Sequence, residues 1–189
     1  MDTIQIQNII RLALKCYKPN NKFVGVFPID FINKISFSQP GRLRVCIFNS
    51  QTNSEPGEHW FVVGVDRRSS EEEEHAFVFD SLSQNLTTKY PILKKFLMKQ
   101  NDIKFVLRNK SPVQNKNVDS CALHCIYFVL LLVSENYSFS KALGTFSSNA
   151  LLNDCSLLQN FNDFLRCQES NELLSGLHNQ LSMTYAHCK

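Results

Sequence analysis

The stretch QNKNVDSCALHCIYFVLLLV, residues 114–133, places a cysteine between a polar turn and an unbroken apolar run. From Ala122 onward it is apolar nearly all round, the pattern of a helix enclosed by a core on every side. Asp119 and Ser120 are both helix-capping residue types, and a cap at either puts Cys121 in the first turn. There the unpaired backbone amides and the positive end of the helix dipole favour a thiolate over a thiol. A sulfur at the tip of a core helix is held rigidly and still faces a cleft, as a nucleophile requires. The competing reading is packing, because cysteine is also a small hydrophobe.

Working outward, Ile6, Ile9, Ile10, Ala13 and Leu14 recur at helical spacing and predict an amphipathic helix over 3–16. KFVGVFPIDFI follows, apolar but interrupted by Gly25 and Pro28, and reads as an irregular or edge segment. Three strands are expected at 42–50, 59–66 and 75–81, each rich in β-branched and aromatic residues between turn formers. RRSSEEEE, residues 67–74, reads as a solvated hairpin loop between the second and third of these. A helix is expected from Pro91, where proline suits the first turn, then a strand at 102–109. After the central helix, two further helices are expected, around 154–167 and 170–182. With no repeat or linker, residues 1–189 read as one α+β domain, a central mixed sheet packed by helices.

Composition agrees with an ordinary globular enzyme: 43% hydrophobic, 20% charged, net charge +3. That charge permits an anionic partner without demanding one, and Lys94, Lys95 and Lys99 read as a solvated helix face before they read as a DNA track. The longest apolar run, CIYFVLLLV, is about half of what a membrane span needs, and the N-terminus has no secretory pattern. A soluble, intracellular, monomeric protein without membrane partners is the expectation. The cysteines number seven, an odd count that argues against a disulfide scaffold and leaves burial, metal ligation or reactivity as their roles.

A thiol nucleophile needs a base, and the base needs an orienter. His59 opens the strand HWFVVGV, and Asp80 closes AFVFDS. If those strands pair antiparallel, the start of one lies beside the end of the other and the two side chains meet at one edge. Gln114, seven residues before Cys121, can fold its amide back so that it and the Cys121 backbone N–H face a developing oxyanion. His124 is three residues along the same helix as Cys121, a poor position for an in-line base; His75, His178 and His187 are less well placed still.

The ordered set His59-Trp60, Asp80 in FDS, Gln114 and DSCALHC resembles the adenovirus-type endopeptidases, and more distantly the ubiquitin-like-protein proteases of the same clan. The resemblance runs from about residue 57 to 134, and its Gln-to-Cys interval of seven fits the adenoviral branch. It implies a papain-like, adenain-like architecture with the nucleophile at the N-terminus of a buried helix. By resemblance His59, Asp80 and Cys121 form the triad, Gln114 and the Cys121 amide form the oxyanion hole, and Trp60 walls the substrate groove. No cofactor is implied for the chemistry, whereas an activating viral peptide and DNA are implied as stimulators. Viral capsid and core precursors are the implied polypeptide substrates, cut next to glycine during virion maturation, in the host nucleus and the virion.

The chain departs from the family in three places. Ala122 stands where glycine usually follows the nucleophile, the RRSSEEEE loop lengthens the His-to-acid interval, and DIKFVLRN lacks the cysteine that would tether an activator. Three other readings remain open at this level. They are a deconjugating isopeptidase of the same clan, an inactive protease fold kept for docking, and a zinc site using Cys121, His124 and Cys125 within one helical turn.

Overall fold

Alternation along the strands builds the molecule. In the segment Leu43–Asn49 (β2), Val45 and Ile47 face one side of the sheet while Cys46 and Phe48 face the other. Trp60–Asp66 (β3) sends Trp60 and Val62 one way and Phe61, Val63 and Val65 the other. His75–Phe79 (β4) divides Phe77 and Phe79 from Ala76 and Val78 in the same manner. With both faces apolar, each face has to be covered, and the result is three layers. The computed structural model describes residues 1–15, 22–37, 42–55, 57–68, 74–100 and 103–165.

The sheet has five strands in sequential order, completed by Phe23–Pro28 (β1) at one edge and Val106–Arg108 (β5) at the other. β2, β3 and β4 are antiparallel neighbours, whereas β1 runs parallel to β2 and β5 parallel to β4. Parallel pairs need crossovers. The first contains the 3-10 helix Ile29–Lys34, and the second contains Leu86–Lys89 (α2) and Pro91–Met98 (α3). Both crossovers cover the same face, where Ile29, Ile32, Leu93, Phe96 and Leu97 pack on Phe48, Phe61 and Val63.

The opposite face carries Thr3–Lys15 (α1), Cys121–Val133 (α4), Phe139–Leu143 (α5) and Ala150–Leu165 (α6). α4 is buried at every one of its thirteen residues. Its Phe128 ring stacks on Phe79 of β4, with centroids 4.0 Å apart and planes 2° from parallel. α1 presents Ile6, Ile9, Ile10 and Ala13 to the same core, as the spacing predicted.

Several expected boundaries move. The edge segment forms a true strand despite Gly25 and Pro28, because the register shifts between Phe23 and Gly25 and Pro28 closes the strand. The expected strand at 102–109 shortens to Val106–Arg108, and α2 and α5 are short turns below the length that periodicity detects. α6 begins at Ala150 because the Asn149 side chain caps it, accepting from the amides of Leu151 (3.1 Å) and Leu152 (3.4 Å). Cys155 on that helix is disulfide-bonded, a correction to the expectation that no cysteine would be. The expected helix at 170–182, Cys16, Cys167, Cys188, His178, His187 and most of the acidic loop lie outside the described residues. Among the described residues no helix is long and apolar enough to cross a membrane.

Gly64 in the middle of β3 faces Phe77 across the ladder. A Cβ there would come within 2.2 Å of the Phe77 ring. Gly64→Ala should therefore force Phe77 from its place beside Phe128 and Phe139, lowering stability by about 1–3 kcal/mol, as overpacking typically does. Urea unfolding of the variant against the wild-type chain measures this.

Candidate active site

The β3–β4 register pairs Val62 with Phe79, so the residues just before Val62 lie beside those just after Phe79. His59 is held at that end by its carbonyl, which accepts from the Ser50 amide (2.8 Å) and extends the β2–β3 ladder by one rung. Its Nε2 lies 2.7 Å from Asp80 Oδ1, both side chains being buried. The sheet thus joins two residues 21 positions apart, as antiparallel pairing predicted.

Asp80 is fixed by more than the imidazole. Its Oδ1 also accepts from the Leu82 amide (3.0 Å), and its Oδ2 accepts from the Gln84 amide (2.8 Å). Asn109, at the end of β5, clasps the Asp80 backbone from both sides. The Asp80 N–H donates to Asn109 Oδ1 (3.1 Å), and Asn109 Nδ2 donates to the Asp80 carbonyl (2.7 Å). With backbone and carboxylate both held, Asp80 has one orientation to offer the imidazole.

Cys121 acts with Asp80 to raise the His59 pKa, so the sulfur lies within electrostatic reach of the ring. Nε2 is given to Asp80, which leaves Nδ1 as the ring nitrogen for the sulfur. Burial pulls the imidazole pKa down, but the hydrogen bonds to Asp80 and Cys121 and the negative charge on both outweigh it, raising the pKa to about 9. The ring is therefore held as an imidazolium at neutral pH, the partner a thiolate needs. Cys125, one turn further on, behaves oppositely: complete burial and the neighbouring negative charges of Cys121 and Asp80 hold its thiol well above the usual range, an inert packing cysteine.

Gln114 is buried as well. Its Oε1 accepts from Ser81 Oγ (2.6 Å), and its Nε2 donates to the Val118 carbonyl. The Ser81 carbonyl in turn accepts from the amides of Val113 (2.8 Å) and Gln114 (3.0 Å). A carboxamide has two N–H donors, so one remains after the bond to Val118. Ser81, directly after Asp80, thereby links the His-Asp pair to the glutamine.

One expectation is revised. Ser120 sits at the N-cap of α4 but does not cap it; its hydroxyl donates to Asp154 Oδ1 (2.6 Å) on α6. The first-turn amides are left uncapped by that side chain, which keeps their dipoles available beside Cys121. Trp60, the groove wall that the resemblance implies, is 4% exposed and belongs to the core cluster that also contains Cys121 and Ala122. Of the three residues in the zinc alternative, His124 gives its Nε2 to Asp154 Oδ1 at 2.8 Å. No group of three or more His, Cys, Asp or Glu that could hold a metal occurs among the described residues.

Sequence reasoning missed Asn109, Ser81 and Asp154. Ser81 was within reach as the third residue of FDS. Asn109 and Asp154 carry no local signal, since their roles arise only from long-range contacts.

A thiol paired with an imidazolium, a fixed acid behind it and an amide beside an uncapped helix tip is the equipment of a cysteine peptidase. A model of the adenovirus endoprotease family matches residues 23–167, and the chain belongs to that family of cysteine peptidases. Among solved structures, ChlaDub1 from Chlamydia trachomatis is similar with a TM-score of 0.52 at 14% identity, covering 92% of this chain and 95% of that one. The ASFV pS273R protease has a TM-score of 0.47 at 16% identity, covering 78% of this chain and 62% of that one. A de-sumoylating protease has a TM-score of 0.47 at 13% identity, covering 98% and 79%. This chain thus spans 62% of the length of the ASFV protease, and at these identities the structural likeness concerns the fold alone. A comparison with curated proteins gives no significant match.

The shared proton can be observed directly. The His59 ring should titrate near 9 by NMR, and Asp80→Asn should move that titration down toward or below the ordinary 6.5, because the anionic hydrogen-bond partner is lost while burial remains. An unmoved titration would mean that Asp80 does not hold the imidazolium.

Proposed function

We propose that this single-domain chain is a viral or virus-like cysteine endopeptidase that cuts structural precursor proteins during virion maturation. The observation that carries the reading is the convergence of His59, Asp80, Cys121 and Gln114 at one end of the sheet. Family membership supports polypeptide substrates and a viral setting. The nuclear and virion location, stimulation by a short peptide and by DNA, cleavage next to glycine and a monomeric state belong to the proposal.

The Cys121 thiolate attacks the scissile carbonyl carbon, and the carbonyl electrons move onto oxygen. The free N–H of Gln114 and the Cys121 backbone amide receive that charge. The His59 imidazolium gives its proton to the leaving amine as the C–N bond breaks, leaving a thioester. The neutral imidazole then takes a proton from water, whose oxygen attacks the thioester. Collapse breaks the C–S bond, expels the Cys121 thiolate beside the reprotonated His59 and releases the acid. Asp80 stabilises the imidazolium and keeps its ring in line throughout.

Cys121→Ala should abolish hydrolysis of a glycine-containing peptide, and Gln114→Ala should lower turnover by on the order of 100-fold with folding intact. Asp80→Asn should be milder than loss of the sulfur. Labelling with peptide-based and ubiquitin-like electrophilic probes, read by mass spectrometry, should modify Cys121 through the peptide. Turnover of ubiquitin-like conjugates with none of the peptides would turn the assignment to a deconjugating isopeptidase. No labelling by either would leave an inactive docking fold.

The pH profile has a defined sign. The His59 pKa is raised, so the proton needed by the leaving group is present at neutral pH and lost as pH climbs through about 9. The alkaline limb of kcat/KM should fall there, and it should shift to lower pH in Asp80→Asn.

A further inference from the structure

A second His-Asp pair lies behind the nucleophile. His124 and Asp154 are joined at 2.8 Å with both side chains fully buried, and the proposed mechanism uses neither. Asp154 Oδ1 accepts from His124 Nε2 and from Ser120 Oγ, the residue just before Cys121. Its Oδ2 accepts from the backbone amide of Asn115 (2.8 Å), the residue just after Gln114. One carboxylate therefore ties the two chain positions that flank the oxyanion donors. Its α6 neighbour Asn153 adds a third tie, donating through Nδ2 to the carbonyl of Val113 (2.9 Å), immediately before Gln114. Asn153 is itself anchored, donating to the Ser147 carbonyl (2.9 Å) and accepting from the Ser147 amide (2.7 Å).

The first turn of α6 thus grips Gln114 from both sides and the Cys121 helix from its tip. Such a clamp is costly: an aspartate excluded from water must have its oxygens satisfied, and this one is met by a backbone N–H, a hydroxyl and an imidazole. His124 Nδ1 has no partner among the described residues, so a buried polar atom is left unsatisfied to deliver the other ring nitrogen to Asp154. An apolar residue at 124 would suit the otherwise apolar α4 better if packing were the whole requirement.

We infer that Asn153 and Asp154 are positioning residues for the oxyanion hole, with His124 orienting the carboxylate that spans Ser120 and Asn115. The inference rests on the reading of Gln114 and the Cys121 amide as oxyanion donors. It deepens that reading by naming what sets their spacing.

The experiment compares peptide hydrolysis with alkylation of Cys121 by iodoacetamide. Hydrolysis passes through an oxyanion, whereas alkylation needs the thiolate but forms no tetrahedral intermediate. In Asp154→Asn the new NH2 meets either the Asn115 N–H or the Ser120–His124 donors, so at least one tie breaks whichever way the amide turns. We expect kcat to fall on the order of 10- to 100-fold, as small misplacements of reacting groups do, with KM and the alkylation rate changed less than about threefold. Combined with Gln114→Ala, the loss should be no greater than about threefold beyond Gln114→Ala alone, since both changes damage the same hole. If Asp154→Asn does not fold, Ser120→Ala, which removes one tie, decides the matter: a smaller fall confined to kcat supports the clamp.

Equal losses of hydrolysis and alkylation would reduce Asp154 to a structural residue and overturn the inference. Unchanged kcat, or a loss that multiplies with that of Gln114→Ala, would overturn it as well. Full activity in Gln114→Ala itself would remove the oxyanion reading, and the clamp with it. A slowed Gln114→Ala beside undisturbed Asp154→Asn and Ser120→Ala would sink the clamp alone.

Discussion

Burial of α4 on every side is the constraint from which the active site follows. A helix apolar all round cannot lie on a surface, so the sheet, α1, α5 and α6 close around it. Its first residue, Cys121, is 4% exposed, and its position is set by contacts along the helix rather than by a loop. Phe128, two turns down, stacks on the ring of Phe79, one residue from Asp80. The same packed face therefore locates the sulfur relative to the acid. Sites carried on rigid elements hold their geometry more tightly than sites carried on loops.

Polar groups enter this apolar surrounding only in satisfied sets. The His59 and Asp80 side chains are 10% and 2% exposed, and the carboxylate meets an imidazole and two backbone amides. Gln114 divides its oxygen and nitrogen between Ser81 and Val118. Asp154 accepts from three groups on two other segments. In each case desolvation would be heavily unfavourable without the partners, so the folded core permits essentially one arrangement. Fold stability and site geometry are the same set of contacts at this end of the molecule.

What was legible in the sequence was whatever is periodic or adjacent. Alternation placed β2, β3 and β4, helical spacing placed α1, and the apolar run placed α4. Antiparallel pairing of two recognisable strands then brought His59 to Asp80. The helix-tip cysteine was visible, but the role of Ser120 was not: a residue type that usually caps its own helix instead bonds to α6. Asp154 was hidden because the expected start of its helix fell on it. The Asn149 cap moves that start four residues earlier and puts Asp154 in the first buried turn, facing the oxyanion loop.

In the proposed mechanism the chemistry is divided between two dipolar systems. In that mechanism the charge begins on sulfur, opposite a His59 ring whose pKa is raised by Asp80 and Cys121 together. The proposed reaction then moves the charge to the substrate oxygen, away from His59, where it must meet donors already in place. Gln114 suits that proposed role because its carboxamide is pinned at both ends, the oxygen by Ser81 and one N–H by Val118. A free amide would have to abandon water and turn as the oxyanion formed, and that reorganisation would consume much of its advantage. Since Ser81 follows Asp80 directly in the chain, the acid that fixes the starting charge and the hydroxyl that fixes its destination occupy consecutive residues. A shift of this turn would misplace both at once.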